Sequence, residues 1–327
     1  MKKILVTGSS GFIGSHLAEA LVRKNYKVRA LVHYNSFRNI GNLNFVNKNI
    51  LKEMEIVFGN VEDFNFMKKI SKGTDVIMHL AALIGIPYSY EAVSSYINTN
   101  IIGAENILQA ALENNVGQVI HTSTSEVYGS AEYIPIDEKH PQKAQSPYSA
   151  TKIAADKLAE SYWRSFGLPV SIIRPFNTYG PRQSARAIIP TIIMQIIHKV
   201  PRVFIGSDFP IRDFTYVDDT IRAFISIIGN KKSIGQAINV GFGKGISIKE
   251  LSGIICNVLR DRKIKITSVK ERIRPQKSEV ERLVCNNKKA KELLGWQPKV
   301  NLEAGLNKVI QFINENKEYY LEKEYVK

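Results

Sequence analysis

The chain has 327 residues, of which 44% are hydrophobic and 23% charged, so it can bury a large core in one large domain or two fused ones. Its net charge of +15 is compatible with a phosphate-bearing ligand, but the lysines and arginines are scattered and form no basic stripe, which argues against a nucleic-acid partner. The two cysteines show no pairing pattern, which argues against a disulfide framework, and the histidines lack the spacing of metal ligands. No apolar run is long enough for a membrane span. Together these features predict a cytoplasmic protein without a metal site.

Six short apolar runs, rich in β-branched residues, alternate with helical patterns in the first half of the chain. Because the runs are apolar throughout, they predict strands of a parallel sheet that is covered on both faces. Helical periodicities lie between them, as in "GSHLAEALVRKN" and "NTNIIGAENILQAALENN". This alternation predicts an α/β fold with a doubly wound, Rossmann-type parallel sheet. The predicted strands cover residues 3–7, 27–32, 55–58, 75–80, 118–123 and 170–174.

The regular alternation stops after "RPFNTYGPRQ", where several prolines divide the chain into shorter elements. A later stretch, "GQAINVGFGKGISIKELSGII", still predicts a strand, a turn and a helix. We therefore predict a dinucleotide-binding domain over residues 1–179. Residues 180–327 are predicted to form a smaller mixed α/β lobe that binds the substrate, with some of its segments returning to the first domain.

Three glycines separate the first predicted strand from its helix in "VTGSSGFIGSHLAEAL". At Gly8, Gly11 and Gly14 the backbone can approach a pyrophosphate, and the N-terminus of the following helix favours negative charge. The loop, which also contains Phe12 and Ile13, therefore predicts a dinucleotide cofactor.

The residues after the second and third predicted strands bear on which dinucleotide binds. The acid that usually holds the adenosine ribose is absent, because His33 stands at its place and is followed by Ser36 and Arg38. Arg38 would suit a 2′-phosphate, so we predict NAD and leave NADP open. Asn60 and Val61 follow the third strand, where a side-chain amide and a backbone group could bind an adenine edge.

The run "HTSTSEVYG" ends a predicted strand in polar side chains, and "YSATK" lies on the next predicted helix. Tyr148 and Lys152 are four residues apart and therefore share a helix face. An ammonium beside a phenol favours the phenolate, so we expect Lys152 to lower the pKa of Tyr148 towards neutrality. Such a phenol can take the proton of an alcohol while hydride leaves the same carbon, with Thr124 holding the alcohol oxygen.

These motifs, together with "HLAA", "RDFTYVDD" and "LGWQP", resemble the extended short-chain dehydrogenase/reductase family of nucleotide-sugar enzymes across nearly the whole chain. The resemblance implies a tightly bound cofactor beside Leu80 and Ala81, and a sugar nucleotide beneath the smaller lobe. It also implies that Asn177, Arg212 and Arg274 hold the ribose and the diphosphate of the substrate.

The resemblance has further implications for the helices. Asn100 matches a family asparagine that organises the active-site helix. The helices predicted at 98–114 and 148–165 correspond to a pair that meets its own copy in the family, which implies a homodimer or a dimer of dimers. Lys277 stands where many members carry an aspartate that contacts the ribose.

The residues after Thr124 separate the reaction types of the family. Simple C4 epimerases need only the threonine, tyrosine and lysine, whereas 4,6-dehydratases add an aspartate-glutamate pair, of which this chain has Ser125 and Glu126. Glu126 could remove the C5 hydrogen once C4 is oxidised, and Glu126 or a bound water would protonate the leaving C6 hydroxyl. The same motif also resembles that of UDP-glucuronate decarboxylases.

Four more stretches, "ALVHYNSF", "ALIGIPYSY", "SARAIIPTIIMQI" and "KSEVERL", resemble the 4,6-dehydratases of legionaminic-acid biosynthesis. We therefore predict a 4,6-dehydratase that converts GDP- or UDP-N-acetylglucosamine to its 4-keto-6-deoxy product. The predicted steps are transient oxidation at C4, elimination of water across C5 and C6, and hydride return to C6. A UDP-glucuronate-type decarboxylase, a C4 epimerase and a non-enzymatic dinucleotide-binding protein are the alternatives.

Overall fold

The computed structural model describes residues 1–260 and 265–320. The strands of this part are β1 (Lys3–Thr7), β2 (Lys27–His33), β3 (Met54–Gly59), β4 (Val76–His79), β5 (Gln118–Thr122), β6 (Val170–Pro175), β7 (Thr178–Tyr179), β8 (Arg202–Ile205), β9 (Ile211–Asp213), β10 (Thr215–Tyr216), β11 (Ala237–Val240), β12 (Gly245–Ser247), β13 (Lys265–Ser268) and β14 (Arg282–Leu283). Its α-helices are α1 (Phe12–Arg23), α2 (Lys48–Lys52), α3 (Phe64–Ser71), α4 (Ile86–Glu91), α5 (Val93–Tyr96), α6 (Gly103–Glu113), α7 (Pro147–Phe166), α8 (Ile188–Ile197), α9 (Val217–Ile227), α10 (Ile248–Val258), α11 (Lys288–Leu294) and α12 (Leu302–Glu315).

A seven-stranded sheet in the order β11-β6-β5-β4-β1-β2-β3 forms the centre of the molecule. All of its neighbouring strands run parallel. The predicted Rossmann-type fold is therefore confirmed, and each of the six strands predicted from apolar runs lies within one residue of its expected limits.

Alternating side chains of each strand enter two separate cores, one on each face of the sheet. In β1, Ile4 and Val6 pack into the core that includes residues of α1, α8, α9 and α12, whereas Leu5 packs into the core formed with α3, α6 and α7. Because both faces are covered by apolar helix surfaces, the strands carry apolar residues on both sides. This explains why the runs in the sequence show no alternation of polar and apolar residues.

The order of the strands reverses at β1, whose neighbours are β2 on one side and β4 on the other. The loops that follow β1 and β4 therefore leave the sheet in opposite directions and open a crevice at the carboxyl ends of the strands, where doubly wound sheets bind their ligands. The glycine loop lies directly at this crevice.

Part of the second half of the chain joins the central sheet instead of a separate lobe. Strand β11 returns to the central sheet beside β6, while the small sheets β13-β8 and β12-β9-β14 lie outside it. The division at residue 179 stays a prediction, and residues 261–264 and 321–327 of the predicted lobe lie outside the described residues. Within residues 1–260 and 265–320, no helix combines the length and apolar character that a membrane crossing requires.

Candidate active site

A cleft of about 810 Å³ runs from the glycine loop to the small sheets. It is lined by residues of both halves of the chain, so that a ligand in it would contact the central sheet on one side and β9 on the other. Most of the predicted site residues line this cleft: Gly8, Gly11, Phe12, Ile13, Gly14, His33, Asn60, Val61, Leu80, Ala81, Thr124, Ser125, Glu126, Tyr148, Lys152, Asn177, Arg212 and Arg274.

The glycine loop is shaped so that side chains would block it. Gly8 has a φ of +69°, and a Cβ atom there would lie 2.8 Å from the backbone nitrogen of Ala81. A Cβ atom on Gly14 would lie 2.1 Å from the carbonyl oxygen of Gly8. Gly11 is the N-cap of α1 and brings no side chain to the helix end, so the first amide groups of α1 are accessible to phosphate oxygens. The loop therefore fits the diphosphate of a dinucleotide.

A buried threonine fixes the second loop of the crevice against the first. The hydroxyl oxygen of Thr7 accepts hydrogen bonds from the backbone N–H groups of Leu80 and Ala81 at 3.1 and 3.0 Å, and lies 2.9 Å from Nδ1 of His79. The "HLAA" segment is thereby held at the cofactor side of the cleft.

The adenine side of the cleft contains only part of the predicted set. Ser36 and Arg38 do not line the cleft, and the Arg38 guanidinium instead lies 5.5 Å from the ring centre of Phe58. The carbonyl oxygen of Val61 accepts a hydrogen bond from the Asn106 side chain at 3.0 Å. The Asn60 side chain accepts one from the backbone of Glu62 at 3.3 Å. A contact of Arg38 with a 2′-phosphate stays a prediction.

Two structural features position the reactive side chains. Thr124 caps the 3₁₀ turn Ser125–Tyr128, with its hydroxyl accepting a hydrogen bond from the backbone N–H of Glu126 at 3.2 Å. A capping box at Ser146 starts α7, which places Tyr148 and Lys152 in the first two turns of that helix. The reactive groups are therefore held on element ends that are fixed by local hydrogen bonds.

Asn100 joins the cleft loop to α7. It lies in the π-helical turn Ile97–Ile102, where its side chain bonds both the N–H and the C=O of Leu83 at 2.8 and 2.9 Å. Its amide nitrogen also donates to the hydroxyl of Thr151 at 3.0 Å. The contact with α7 agrees with the organising role that the sequence resemblance implied.

The expected effect of Lys152 on Tyr148 is wrong. Burial raises the pKa of the Tyr148 phenol, and the main opposing influence is a hydrogen bond with Thr124. Lys152 is not among the groups that shift this pKa, and its Nζ donates to the carbonyl oxygen of Thr122 at 2.6 Å. Burial lowers the pKa of Lys152 itself to about 8, against the attraction of Asp156. A low dielectric environment disfavours both charged forms.

A buried ionic cluster lies directly beneath the reactive groups. One carboxylate oxygen of Asp156 accepts hydrogen bonds from Ser123 at 2.8 Å and from Arg174 at 2.9 and 3.1 Å. The other lies 3.4 Å from Nε2 of His121. Burial would raise the pKa of Asp156, but the neighbouring His121, Arg174 and Ser123 lower it to about 2. Asp156 thus stays ionised and joins β5, β6 and α7.

The far wall of the cleft carries the residues expected to hold the diphosphate. Asn177 has a buried side-chain oxygen without a hydrogen-bond partner among the described residues, so a ligand hydroxyl could satisfy it. Arg212 and Arg274 both point at the carboxylate of Glu279, at 3.3 and 3.7 Å. Burial lowers the pKa of Arg212, and Glu126 across the cleft is the main influence that raises it.

Comparison with known proteins identifies the family. A family model described as GDP-mannose 4,6 dehydratase matches residues 5–309. The chain belongs to this family.

The proteins that are similar to this chain are named for more than one reaction. A putative UDP-glucose 4-epimerase of Methanocaldococcus jannaschii is 32% identical over 318 residues, which cover 96% of this chain and 99% of that protein. The solved structure of a dTDP-glucose 4,6-dehydratase from Streptomyces venezuelae, with NAD bound, has a TM-score of 0.85 and 28% identity, and covers 97% of this chain and 98% of that one. The solved structure of a UDP-glucuronic acid 4-epimerase from Bacillus cereus, in complex with UDP-glucuronic acid and NAD, has a TM-score of 0.86 and 29% identity. The match covers 96% of this chain and 99% of that one. The family is NAD-dependent, which confirms the predicted cofactor.

Several residues of this family member that matter for the cleft were not predicted from its sequence. Arg186 and Glu279 line the cleft, and Thr7 and Asp156 position residues that do. The stretches "SARAIIPTIIMQI" and "KSEVERL" contain the first two residues, but the patterns indicated only a resemblance and no position within them. For Thr7 and Asp156 the sequence contains no local signal, because their partners are distant in the chain.

The buried cluster yields a prediction for Asp156→Asn. The substitution leaves Arg174 buried without its counter-charge, so we expect a loss of about 3–5 kcal/mol in the free energy of unfolding at pH 7. The pKa of Asp156 is about 2 in the folded state, whereas its ordinary value is 3.8. The ionised carboxylate of the parent protein therefore contributes to the free energy of unfolding above pH 4, and this contribution is lost as the pH falls through 2. Urea unfolding at several pH values measures both effects.

Glu160→Gln on the same helix is the matched control. Its carboxylate pairs with Arg164 and Lys157 at the surface, with a side chain that is 36% exposed. We expect this control to lose no more than about 1 kcal/mol. If Asp156→Asn loses no more free energy of unfolding than this control, the buried cluster does not stabilise the fold as predicted.

Proposed function

We propose that the chain is a nucleotide-sugar 4,6-dehydratase acting on GDP- or UDP-N-acetylglucosamine, as in legionaminic-acid biosynthesis. The observation that carries this proposal is the position of Glu126. Its carboxylate lines the same cleft as Thr124 and Tyr148, and its charge acts on both Tyr148 and Arg212 across the cleft. A base in this position is what a dehydratase needs and a C4 epimerase does not.

In the proposed reaction, each proton has a residue to hold it. Thr124 binds the C4 hydroxyl of the sugar and Tyr148, as its phenolate, takes the proton. The glycine loop would hold NAD, which would supply the hydride transfer that oxidises C4 and later reduces C6. Glu126 takes the C5 proton and passes it to the C6 hydroxyl, which leaves as water, so that Glu126 is again a carboxylate. The phenol of Tyr148 then protonates C5 directly or through solvent, and the overall change is the loss of one water molecule.

Ser125 makes this chain differ from dehydratases that carry an aspartate at this position. A serine hydroxyl is a poor proton donor, so Glu126 has to serve as both base and acid. Such a double role is chemically consistent, because the proton removed from C5 is the one that the leaving hydroxyl needs. Thr124, Ser125, Glu126, Tyr148 and Lys152 are accordingly the proposed catalytic set.

A C4 epimerase is the second candidate. The 32% identity to a putative UDP-glucose 4-epimerase supports it, and so does the missing aspartate at position 125. An epimerase would use Thr124, Tyr148 and Lys152 and leave Glu126 without a chemical role. A UDP-glucuronate-type decarboxylase would use the same three residues and release carbon dioxide from the oxidised sugar.

We also propose the division of labour between the halves of the chain. The glycine loop and the reactive groups come from residues 1–179, whereas Arg212 and Arg274 come from 180–327 and face them across the cleft. The second half thus serves as the substrate lobe, although β11 joins the central sheet.

The product of candidate substrates tests the proposal directly. Incubation with UDP- and GDP-N-acetylglucosamine and with UDP-glucuronate, followed by mass spectrometry, should show the loss of one water from an N-acetylglucosamine nucleotide. Loss of carbon dioxide would identify a decarboxylase. An unchanged mass with a new stereoisomer would identify an epimerase, and either result would contradict the proposed dehydratase.

Glu126→Gln separates the chemical steps. The variant keeps the shape of the side chain but removes the base, so we expect it to reduce its bound cofactor on addition of substrate, seen as nicotinamide absorbance. It should release no water and should not exchange the C5 hydrogen with deuterated solvent. Glu132→Gln, which removes a surface carboxylate paired with Lys143, is the control and should behave as the parent protein. Normal C5 exchange in Glu126→Gln would return Glu126 to a structural role.

We propose further that two copies of the chain associate through α6, α7 and the π-helical turn before α6. This surface exposes apolar side chains, with Ile97 at 41%, Ile102 at 45% and Phe166 at 57% of their full accessibility. Static light scattering at micromolar concentration should give the mass of a dimer or of a dimer of dimers. The mass of a single chain would contradict the association.

A further inference from the structure

Three charged side chains meet in the far wall of the cleft. Arg212 donates from Nη2 to Oε1 of Glu279 at 3.3 Å, and Nη1 of Arg274 lies 3.7 Å from the same oxygen. The side chains of Arg212 and Glu279 are only 7% and 11% exposed, and that of Arg274 is 27% exposed. One carboxylate oxygen therefore lies between two guanidinium groups in a sheltered position.

The two arginines are incompletely satisfied by the described residues. Within the described residues, the Arg212 side chain donates to Glu279 and to the carbonyl oxygen of Ile211, the latter at 3.1 Å. Nη1 of Arg274 is buried and makes no hydrogen bond within the described residues, since its distance to Glu279 is that of an ion pair alone. Guanidinium groups bind phosphate oxygens in pairs of hydrogen bonds. Both groups thus retain donors for an anion that enters the cleft.

Hydrogen bonds hold the backbone of Glu279 in place, while its side chain lines the cleft. Its N–H donates to the carbonyl oxygen of Pro275 at 3.1 Å, and its own carbonyl accepts from Gln145 at 3.4 Å. The preceding Ser278 hydroxyl lies 2.6 Å from the hydroxyl of Tyr90. A rotation of the Glu279 side chain therefore moves the carboxylate away from the arginines without moving the chain around it.

The carboxylate and an incoming diphosphate compete for the same two cations. A diphosphate beside Glu279 would place like charges close together in a site of low dielectric, which is costly. The diphosphate must therefore displace the carboxylate to engage both arginines. Any anion that binds between the two arginines therefore competes with Glu279, which interacts with both.

We propose that Glu279 occupies the anion position between Arg212 and Arg274 and competes there with the anionic group of the substrate, so that a nucleoside diphosphate binds both arginines only by displacing it. The inference rests on the proposed function, which supplies a diphosphate-linked substrate. Glu279 thereby lowers the affinity of the cleft for any anion that binds between the two arginines, and the reduction equals the cost of displacing its carboxylate.

Glu279→Gln tests the proposal by the direction of its effect. Calorimetric titration of the NAD-bound protein with UDP, GDP and inorganic phosphate should show roughly tenfold tighter binding of the preferred nucleoside diphosphate, the scale of one removed competing ion pair. The gain for inorganic phosphate should be equal or smaller, because removing the carboxylate can strengthen binding by no more than the cost of displacing it. A residue that accepted a hydrogen bond from the substrate ribose would show the opposite sign, weaker binding on substitution.

Glu281→Gln is the matched control. Glu281 is exposed, lies two residues further along the chain and does not line the cleft, so the substitution removes the same charge from the same region. We expect it to bind all three probes within about twofold of the parent protein. An equal gain in Glu281→Gln and Glu279→Gln would reduce the effect to net charge and overturn the proposal.

Two further results decide the remaining cases. If Glu279→Gln does not fold, Glu279→Asp keeps the charge but shortens its reach, and it should bind the diphosphate more tightly than the parent, by a smaller factor. Parent-like or weaker binding in the variant that folds overturns the role of Glu279 while leaving the dehydratase proposal intact. Failure of the parent and all variants to bind either nucleoside diphosphate, with NAD still bound, overturns the proposed function and this inference together.

Discussion

The geometry of the cleft depends on one buried carboxylate. Asp156 lies two turns beyond Tyr148 and one turn beyond Lys152 on α7, and it is bonded to Ser123 at the end of β5 and to Arg174 on β6. Taking a carboxylate and a guanidinium out of water costs several kcal/mol for each ion, so the pair contributes little net stability compared with apolar packing. What it does determine is the rotation and height of α7 on the sheet. A helix that slid by one turn would leave both charges buried and unpaired, and no other described carboxylate is bonded to Arg174 to replace Asp156.

The same cluster sets the electrostatics above it. His79 and His121 lie side by side beneath the cleft, with ring centres 5.6 Å apart, and burial lowers the pKa of both. They are therefore neutral at physiological pH, and the ionised Asp156 is the main group that favours a charged Lys152. Because the pKa of Lys152 is about 8, the ammonium is mostly present at neutral pH but is close to losing its proton. The dry environment that disfavours the phenolate of Tyr148 also makes any added positive charge in the cleft act strongly on it.

Much of the fold was predictable because its rules are local. The apolar runs predicted the limits of β1 to β6 to within one residue. The glycine loop was predictable because nearby backbone leaves little room for side chains at Gly8, Gly11 and Gly14. Strand β11 was predicted as a strand, but its place beside β6 depends on packing between segments about sixty residues apart. The spacing of Tyr148 and Lys152 correctly put them on one helix face. It did not reveal that Lys152 reaches the carbonyl of Thr122 or that burial dominates both pKa values.

The two walls of the cleft differ in how closely they determine the reaction. The wall from the first half holds the cofactor loop, Thr124, Tyr148 and Lys152, and oxidation at C4 is common to dehydratases and epimerases. The second wall contains Arg212, Arg274 and Glu279, and in the proposed function it would bind the nucleotide part of the substrate. In the proposed function, the type of reaction would therefore depend on few side chains at the boundary between the walls, above all Glu126, whose charge acts on groups of both. This is why an overall likeness to epimerases and to dehydratases at similar identity does not distinguish them, since a fold provides the frame and a single carboxylate can change the outcome.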